Sequence, residues 1–413
     1  MEHDIKRRVV VTGLGIVAPN GIGQKNFWYS TSNGISGIHR FQRFPTVDLP
    51  IRVGGEVASF VAEDYIDHKL AERTDRMTHF ALAAVQEALQ DSGIEIVQEN
   101  PKRVGAVIAN TFGGIGYGWE QINNLHMRGP RTMSAFTSIA WLPIASVGQI
   151  AIRYGIRGYC KTPANDTVGS LDALGLAYTA IQRSAADVII AGGCEALLQP
   201  YMLLVLSHSD VCITGDDPQA YRPFDQRAAG FLLAEGAGMC ILEEYEHARQ
   251  RGAPIYGEII GYGQTNDRHG LRKLPASGRQ YARAMSLALR EAGLQPNEIG
   301  YVSLDGRALP AFDACEAEAL CQIFASELER LPVSVPRTML GHSYAAAGVL
   351  DTITALLALK HSTIPPTMNC EELNPRYSLD LVRGEARPLT KAAALIGGRS
   401  LTGANVTLAL KKI

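Results

Sequence analysis

The segment Asn165-Asp166-Thr167-Val168-Gly169-Ser170-Leu171-Asp172-Ala173-Leu174-Gly175 reads as a loop feeding the start of a helix, with Thr167 at the turn. A helix N-terminus presents free backbone N–H groups and a partial positive charge. A thiol held there becomes more acidic, and an oxyanion formed beside it gains hydrogen bonds. A cysteine at this point would be a nucleophile. A threonine hydroxyl barely ionises near neutral pH without an adjacent base, and the sequence names no base for it. Cys160 lies upstream, in the lead-in to the loop, and has two readings: a displaced nucleophile or a structural thiol. Gly13 and Gly15 form a GxG at a strand end, where a tight α/β sheet explains them better than a nucleotide loop.

The elements that position this turn alternate. Val9 to Gly15, Val104 to Ala109, Asp187 to Gly193 and Gly238 to Leu242 read as buried strands, while Thr78 to Gln90 and Leu171 to Arg183 read as helices. After a charged, Gly/Pro-containing link at Arg249 to Pro254 the same style resumes. Ile255 to Gly261, Tyr301 to Leu304 and Ala404 to Leu410 are strand-like, and Ser277 to Glu291 and Leu350 to Lys360 are helical. The pattern predicts an α/β protein of two similar halves, residues 1–253 and 254–413.

The bulk numbers exclude several classes. The chain has 413 residues, 46% hydrophobic and 19% charged, which is the composition of a globular protein with ample core. A net charge of -2 lacks the basic excess of a nucleic-acid binder. No apolar run reaches the roughly 20 residues of a membrane span, and Met1 to Arg8 leads into a strand without a signal-peptide core. Seven cysteines, scattered without CxxC pairs or metal-ligand spacing, predict reduced thiols, a cytoplasmic location and no metal.

Several segments together resemble the β-ketoacyl synthases, the condensing branch of the thiolase superfamily. They are Arg222-Pro223-Phe224-Asp225, Gly230-Phe231, Glu235-Gly236-Ala237-Gly238, Gly192-Gly193-Cys194-Glu195, Leu171-Asp172-Ala173, Arg337 to His342 followed by Ala345-Ala346-Ala347-Gly348, and Ile364-Pro365-Pro366-Thr367. The resemblance runs from about Arg7 to the C-terminus and implies a thiolase fold of layered αβαβα architecture. The family's reaction needs a cysteine nucleophile, two histidines that stabilise an enolate, and a backbone oxyanion hole.

By that resemblance the side-chain set is altered here. Thr167 stands at the nucleophile, Asp305 at the first histidine, and Arg337 at the lysine before the second-histidine loop. Ser400-Leu401-Thr402-Gly403 stands at the glycine-rich gating loop, and of the family's set His342 is retained. Asp305, as a carboxylate, cannot donate to an enolate oxygen; it is expected to accept backbone hydrogen bonds or to pair with Arg307 or Arg337. His342 is expected to be a retained loop residue without a catalytic role. Asp305-Gly306 followed by Pro310, Asp313 and Glu316-Ala317-Glu318-Ala319 resembles the chain length factors, the ketosynthase β subunits of type II polyketide synthases. Members of that group often carry glutamine at the lost nucleophile, where this chain has threonine.

The resemblance implies a heterodimer with a catalytic ketosynthase α subunit, a growing polyketide delivered on acyl carrier protein, and no cofactor. Its implied length gate lies at Ile115, Gly118 and Ile122, which a helix would place on one face, with Tyr201 and Met202 as further tunnel-lining residues. Spacing alone would make the two isoleucines plain core. Two isoleucines and a glycine at the gate imply room for a medium to long chain, and Met133 to Gly158, with Phe136, Ile139, Trp141 and Leu142, is the expected partner contact. Two other functions remain open on the sequence: an independent acyltransferase or ketosynthase using Thr167 or Cys160, and a self-paired scaffold.

Overall fold

The computed structural model describes residues 7–268 and 277–413, so the expectation about the first residues of the chain falls partly outside the described part. In the first half the main strands are β1 (Val9–Ala18), β2 (Val104–Ala109), β3 (Cys160–Lys161), β4 (Val188–Glu195) and β5 (Gly236–Glu244). In the second they are β6 (Gly257–Asn266), β7 (Ile299–Ser303), β8 (Pro332–Ser334), β9 (Ala393–Arg399) and β10 (Ala404–Lys411). The spatial order is β3-β2-β4-β5-β1 in one half and β8-β7-β9-β10-β6 in the other, so each half places its strands in the sequence third, second, fourth, fifth, first. The pairing directions repeat as well, parallel through the first three positions and antiparallel thereafter. The halves meet where β1 pairs antiparallel with β6, Val9 opposite Ile259 and Val11 opposite Gly257.

Both sheet faces are covered, which is why the strands read as continuous apolar runs rather than alternating ones. Helices α1 (Arg76–Ser92), α3 (Gly169–Gln182), α5 (Arg279–Ala292), α6 (Pro310–Phe324) and α7 (Ala347–His361) supply the cover, while α2 (Ile115–Arg128) and α4 (Pro200–Ser207) lie to one side. Between the halves, α3 and α7 share one core with β1, β5, β9 and β10. On the outer faces α1 closes a second core, and α5 and α6 a third. The layers therefore run helix, sheet, helix, sheet, helix.

Local signals explain the limits of the elements. Asp75 caps α1 by accepting from the Met77 N–H at 2.8 Å, and Gly93 ends it in the left-handed region (φ 64°), so the helix extends beyond the expected Thr78 to Gln90. A Cβ on Gly13 or Gly15 would run into the carbonyls of Ala88 and Ala84 on α1. Those glycines serve close helix–strand packing, and β1 runs past them to Ala18. The strand expected over Ile255 to Gly261 begins at Gly257 and continues through the more polar Gln264-Thr265-Asn266, which pair with β10.

Candidate functional site

Thr167 sits in a single 3-10 turn, Asp166–Val168, directly before α3. The loop after β9 faces it, and the Thr167 hydroxyl donates to the Arg399 carbonyl at 2.8 Å. Arg307 Nη2 donates to the same hydroxyl and to the same carbonyl. Arg307 is aimed by Asp305, whose Oδ2 accepts from its Nε at 2.7 Å. Arg337 approaches from the other side, donating to Asp305 Oδ1 at 3.0 Å and to the Asp305 carbonyl at 3.1 Å, and also reaches Asp351. Burial alone would raise the Asp305 pKa, but Arg307 and Arg337 outweigh it and hold the carboxyl below its ordinary range. Asp305 is thus an ion-pair hub, as expected of it.

The hub is itself supported. Glu316 on α6 accepts from the Asp305 and Gly306 N–H groups, both at 2.9 Å, and burial together with the Asp305 charge pushes its pKa up to about 7. Phe312 lies between two guanidinium groups, 5.1 Å from Arg307 and 5.1 Å from Arg399. Arg399 donates onward to the Phe312 carbonyl at 3.1 Å.

Among the described residues, His342 and Thr167 share no hydrogen bond. Its Nδ1 accepts from the Tyr344 N–H at 3.1 Å, which assigns the proton of the neutral ring to Nε2. Burial, then the charges of Arg337 and Arg307, hold its pKa well below normal, so the imidazole stays neutral. The ring packs on Phe231 with centroids 4.5 Å apart. Phe231 and Phe112 both lie edge-on to Tyr344.

Thr167 therefore faces a cation on one side and a carbonyl acceptor on the other. A carbonyl oxygen can hold the hydroxyl proton but cannot remove it, so none of the hydroxyl's partners among the described residues is a general base. Cys160 is in β3, half-buried, and burial pushes its thiol pKa up, away from a thiolate.

The expected gate residues fall on α2 and α4. Ile115 packs on the cluster formed by Met202, Leu203, Phe231 and Tyr344. Gly118 is buried against Trp141: a Cβ there would stand 3.2 Å from the indole. The space beside this glycine is already filled by Trp141. Ile122 is 41% exposed. Tyr201 points outward and stacks on Trp119 with centroids 4.2 Å apart, whereas Met202 turns into the core, so these neighbours act in different places. Around them Ile139 (50%), Trp141 (49%) and Leu142 (47%) lie open, forming with α2 and α4 an uncovered apolar face.

Two features were missed by sequence reasoning. The fully buried Glu235 receives Arg43 at 3.1 Å and Arg76 at 2.8 Å, tying the start of α1 to the segment before β5. Arg307 as the group covering Thr167 had no signal beyond a charged residue two places after Asp305.

The fold and site define a thiolase-fold protein in which the Thr167 hydroxyl, just before α3, is held by Arg307 and the Arg399 carbonyl. The family models for the β-ketoacyl synthase N-terminal and C-terminal domains match residues 6–248 and 256–371. The chain belongs to the β-ketoacyl synthase family. It is 39% identical over 408 residues to the tetracenomycin polyketide synthase ketoacyl synthase beta subunit of Streptomyces glaucescens, covering 98% of each chain. It is 35% identical to the 3-oxoacyl-[acyl-carrier-protein] synthase 2 of Synechocystis sp. over 98% of each chain. Among solved structures, the ishigamide ketosynthase/chain length factor superposes with a TM-score of 0.91 at 27% identity, covering 99% of this chain and 100% of that one. A type II polyketide synthase acyl-carrier protein in complex with its hexaketide-bound ketosynthase contains a chain that matches with a TM-score of 0.90 at 28% identity, covering 99% and 100%. No described helix is long and apolar enough to cross a membrane.

Proposed function

We propose that this chain is the non-condensing, length-determining subunit of a type II polyketide synthase, acting in the cytoplasm. It pairs with a catalytic ketosynthase that carries the cysteine and both histidines. The observation that carries this reading is at Thr167: Arg307 sits on it, and among the described residues no base reaches its hydroxyl. The relatives named as a ketosynthase beta subunit and as a ketosynthase/chain length factor support it. The open apolar face around Ile139, Trp141 and Leu142 is the surface we assign to the partner. Ile115, Gly118 and Ile122, leading from the interior core to that face, are the residues we assign to the end of the polyketide tunnel. The junction between the halves is taken at residues 253 and 254, in the link before β6. A substrate thioester arrives on acyl carrier protein, and no cofactor is needed, because loss of carbon dioxide drives the condensation.

Co-expression with a ketosynthase α subunit and carrier protein tests the assignment. A stable heterodimer that yields a polyketide is expected. A chain that stays self-paired, or that condenses acyl and malonyl carrier proteins alone, overturns it.

A further inference from the structure

We propose that Asp166 fills this subunit's own oxyanion hole with its carboxylate and that, with Arg307 over Thr167, it locks the former active site against thioesters. The inference rests on the reading that condensation belongs to the partner.

An attacking atom on residue 167 would place the developing oxyanion between two backbone donors. One is the N–H of residue 167, at the start of α3. The other lies in the loop facing it, the segment after β9 whose Arg399 carbonyl already contacts the Thr167 hydroxyl at 2.8 Å. The amide of that loop aimed at the turn is Leu401, and it donates to Asp166 Oδ2 at 2.7 Å. Burial raises the Asp166 pKa, and the Arg307 charge with the Leu401 and Thr167 N–H groups opposes that rise in favour of the carboxylate. A carboxylate oxygen carries the negative charge and acceptor geometry of a thioester oxyanion, so Asp166 takes the hydrogen bonds a substrate would need. Asp166 sits in the left-handed region (φ 50°), which aspartate tolerates better than most residues. The Thr111 hydroxyl holds it there through the Asp166 carbonyl at 3.3 Å.

The loop is closed from its other side too. Ser400 N–H donates to the Ala404 carbonyl at 2.7 Å, and the Ser400 and Thr402 hydroxyls share a bond of 2.7 Å. A segment built this way cannot swing aside without releasing Asp166. Restoring a cysteine at residue 167 would therefore not restore acylation.

Three variants test the lock: T167C, T167C/D166A and T167C/D166A/R307M. Acylation of residue 167 by an acetyl thioester of N-acetylcysteamine is followed by peptide mass, which separates it from Cys160 and Cys321. The rate should rise along the series by roughly a hundredfold, the usual scale for an oxyanion-hole donor. A flat series overturns the lock. A second measurement needs no engineered thiol: hydrogen exchange at the Leu401 amide, in the D166A variant against the unaltered chain. Exchange should quicken roughly tenfold as the amide loses its partner, and unchanged exchange overturns the assignment of Asp166. A co-expressed complex that makes no polyketide fails the parent reading whatever these rates are. A working complex with a flat series fails the lock alone.

Discussion

The interior around Thr167 and the outer face formed by α2, Thr137–Ala140 and α4 handle their groups in opposite ways. In the interior, charged side chains that are almost wholly buried answer one another: Arg307 and Arg337 share Asp305, and Arg337 also holds Asp351. On the face, large apolar side chains such as Ile122, Ile139 and Trp141 stay about half open to water among the described residues. The difference teaches where each region finds its complement. The interior answers its main charges from within the chain. The face leaves apolar area exposed, which is why we assign it to a partner.

The largest break in this comparison comes from charging the face. Ile139→Asp or Trp141→Asp should weaken heterodimer formation about a hundredfold or more, because an uncompensated carboxylate would be buried at the contact. Size-exclusion and sedimentation with the α subunit measure it, and unaltered association would remove the face from the interface. In the interior, Arg337→Met leaves Asp305 and Asp351 short of a partner and should cost about 3–5 kcal/mol in urea unfolding; a loss under about 1 kcal/mol would mean that the pairs contribute little.

Gly118→Leu sharpens the boundary between the two regions. The added side chain must displace Trp141, and the polyketide should shorten by at least one extension unit, read by mass spectrometry of the complex's products. The same product would detach Gly118 from the gate. A smaller effect concerns pH. Burial is the main reason that Glu195 and Glu316 are both raised to about 7. Their unfolded values lie near 4.3, so between these limits the folded chain binds more protons than the unfolded one. The stability they contribute is present below the unfolded pKa and is lost as pH rises through 7. Urea midpoints should fall from pH 5 to pH 8, and Glu195→Gln with Glu316→Gln should flatten that slope. The smallest effect is expected from Thr167→Ala, about 1–2 kcal/mol for the hydroxyl bonds to the Arg399 carbonyl and from Arg307, with the product profile unchanged.

Much of the fold was legible. Glycine at a strand end, a run such as Val9-Val10-Val11 and the return of the same rhythm after Pro254 carry the α/β pattern, because covered strands and amphipathic helices leave periodic traces. Asp305 pairs with Arg307 and Arg337, one of the two outcomes its position left open. Side-chain direction was less visible. Tyr201 and Met202 are adjacent in the chain yet go to opposite environments, and Trp141 fills the space that Gly118 suggested was free. Asp166 also escaped notice, since its role depends on a loop more than two hundred residues away, at Leu401. Long-range contacts of that kind leave no local signature.

The tryptophans give the apolar face an optical use. Of the three in the chain, Trp28 stacks on His361, while Trp119 stacks on Tyr201 and Trp141 stands half in water. Two of the three indoles thus report on the one surface we assign to the partner. Their emission should shift to shorter wavelength as the α subunit displaces water from them, so assembly can be titrated in real time without any attached dye.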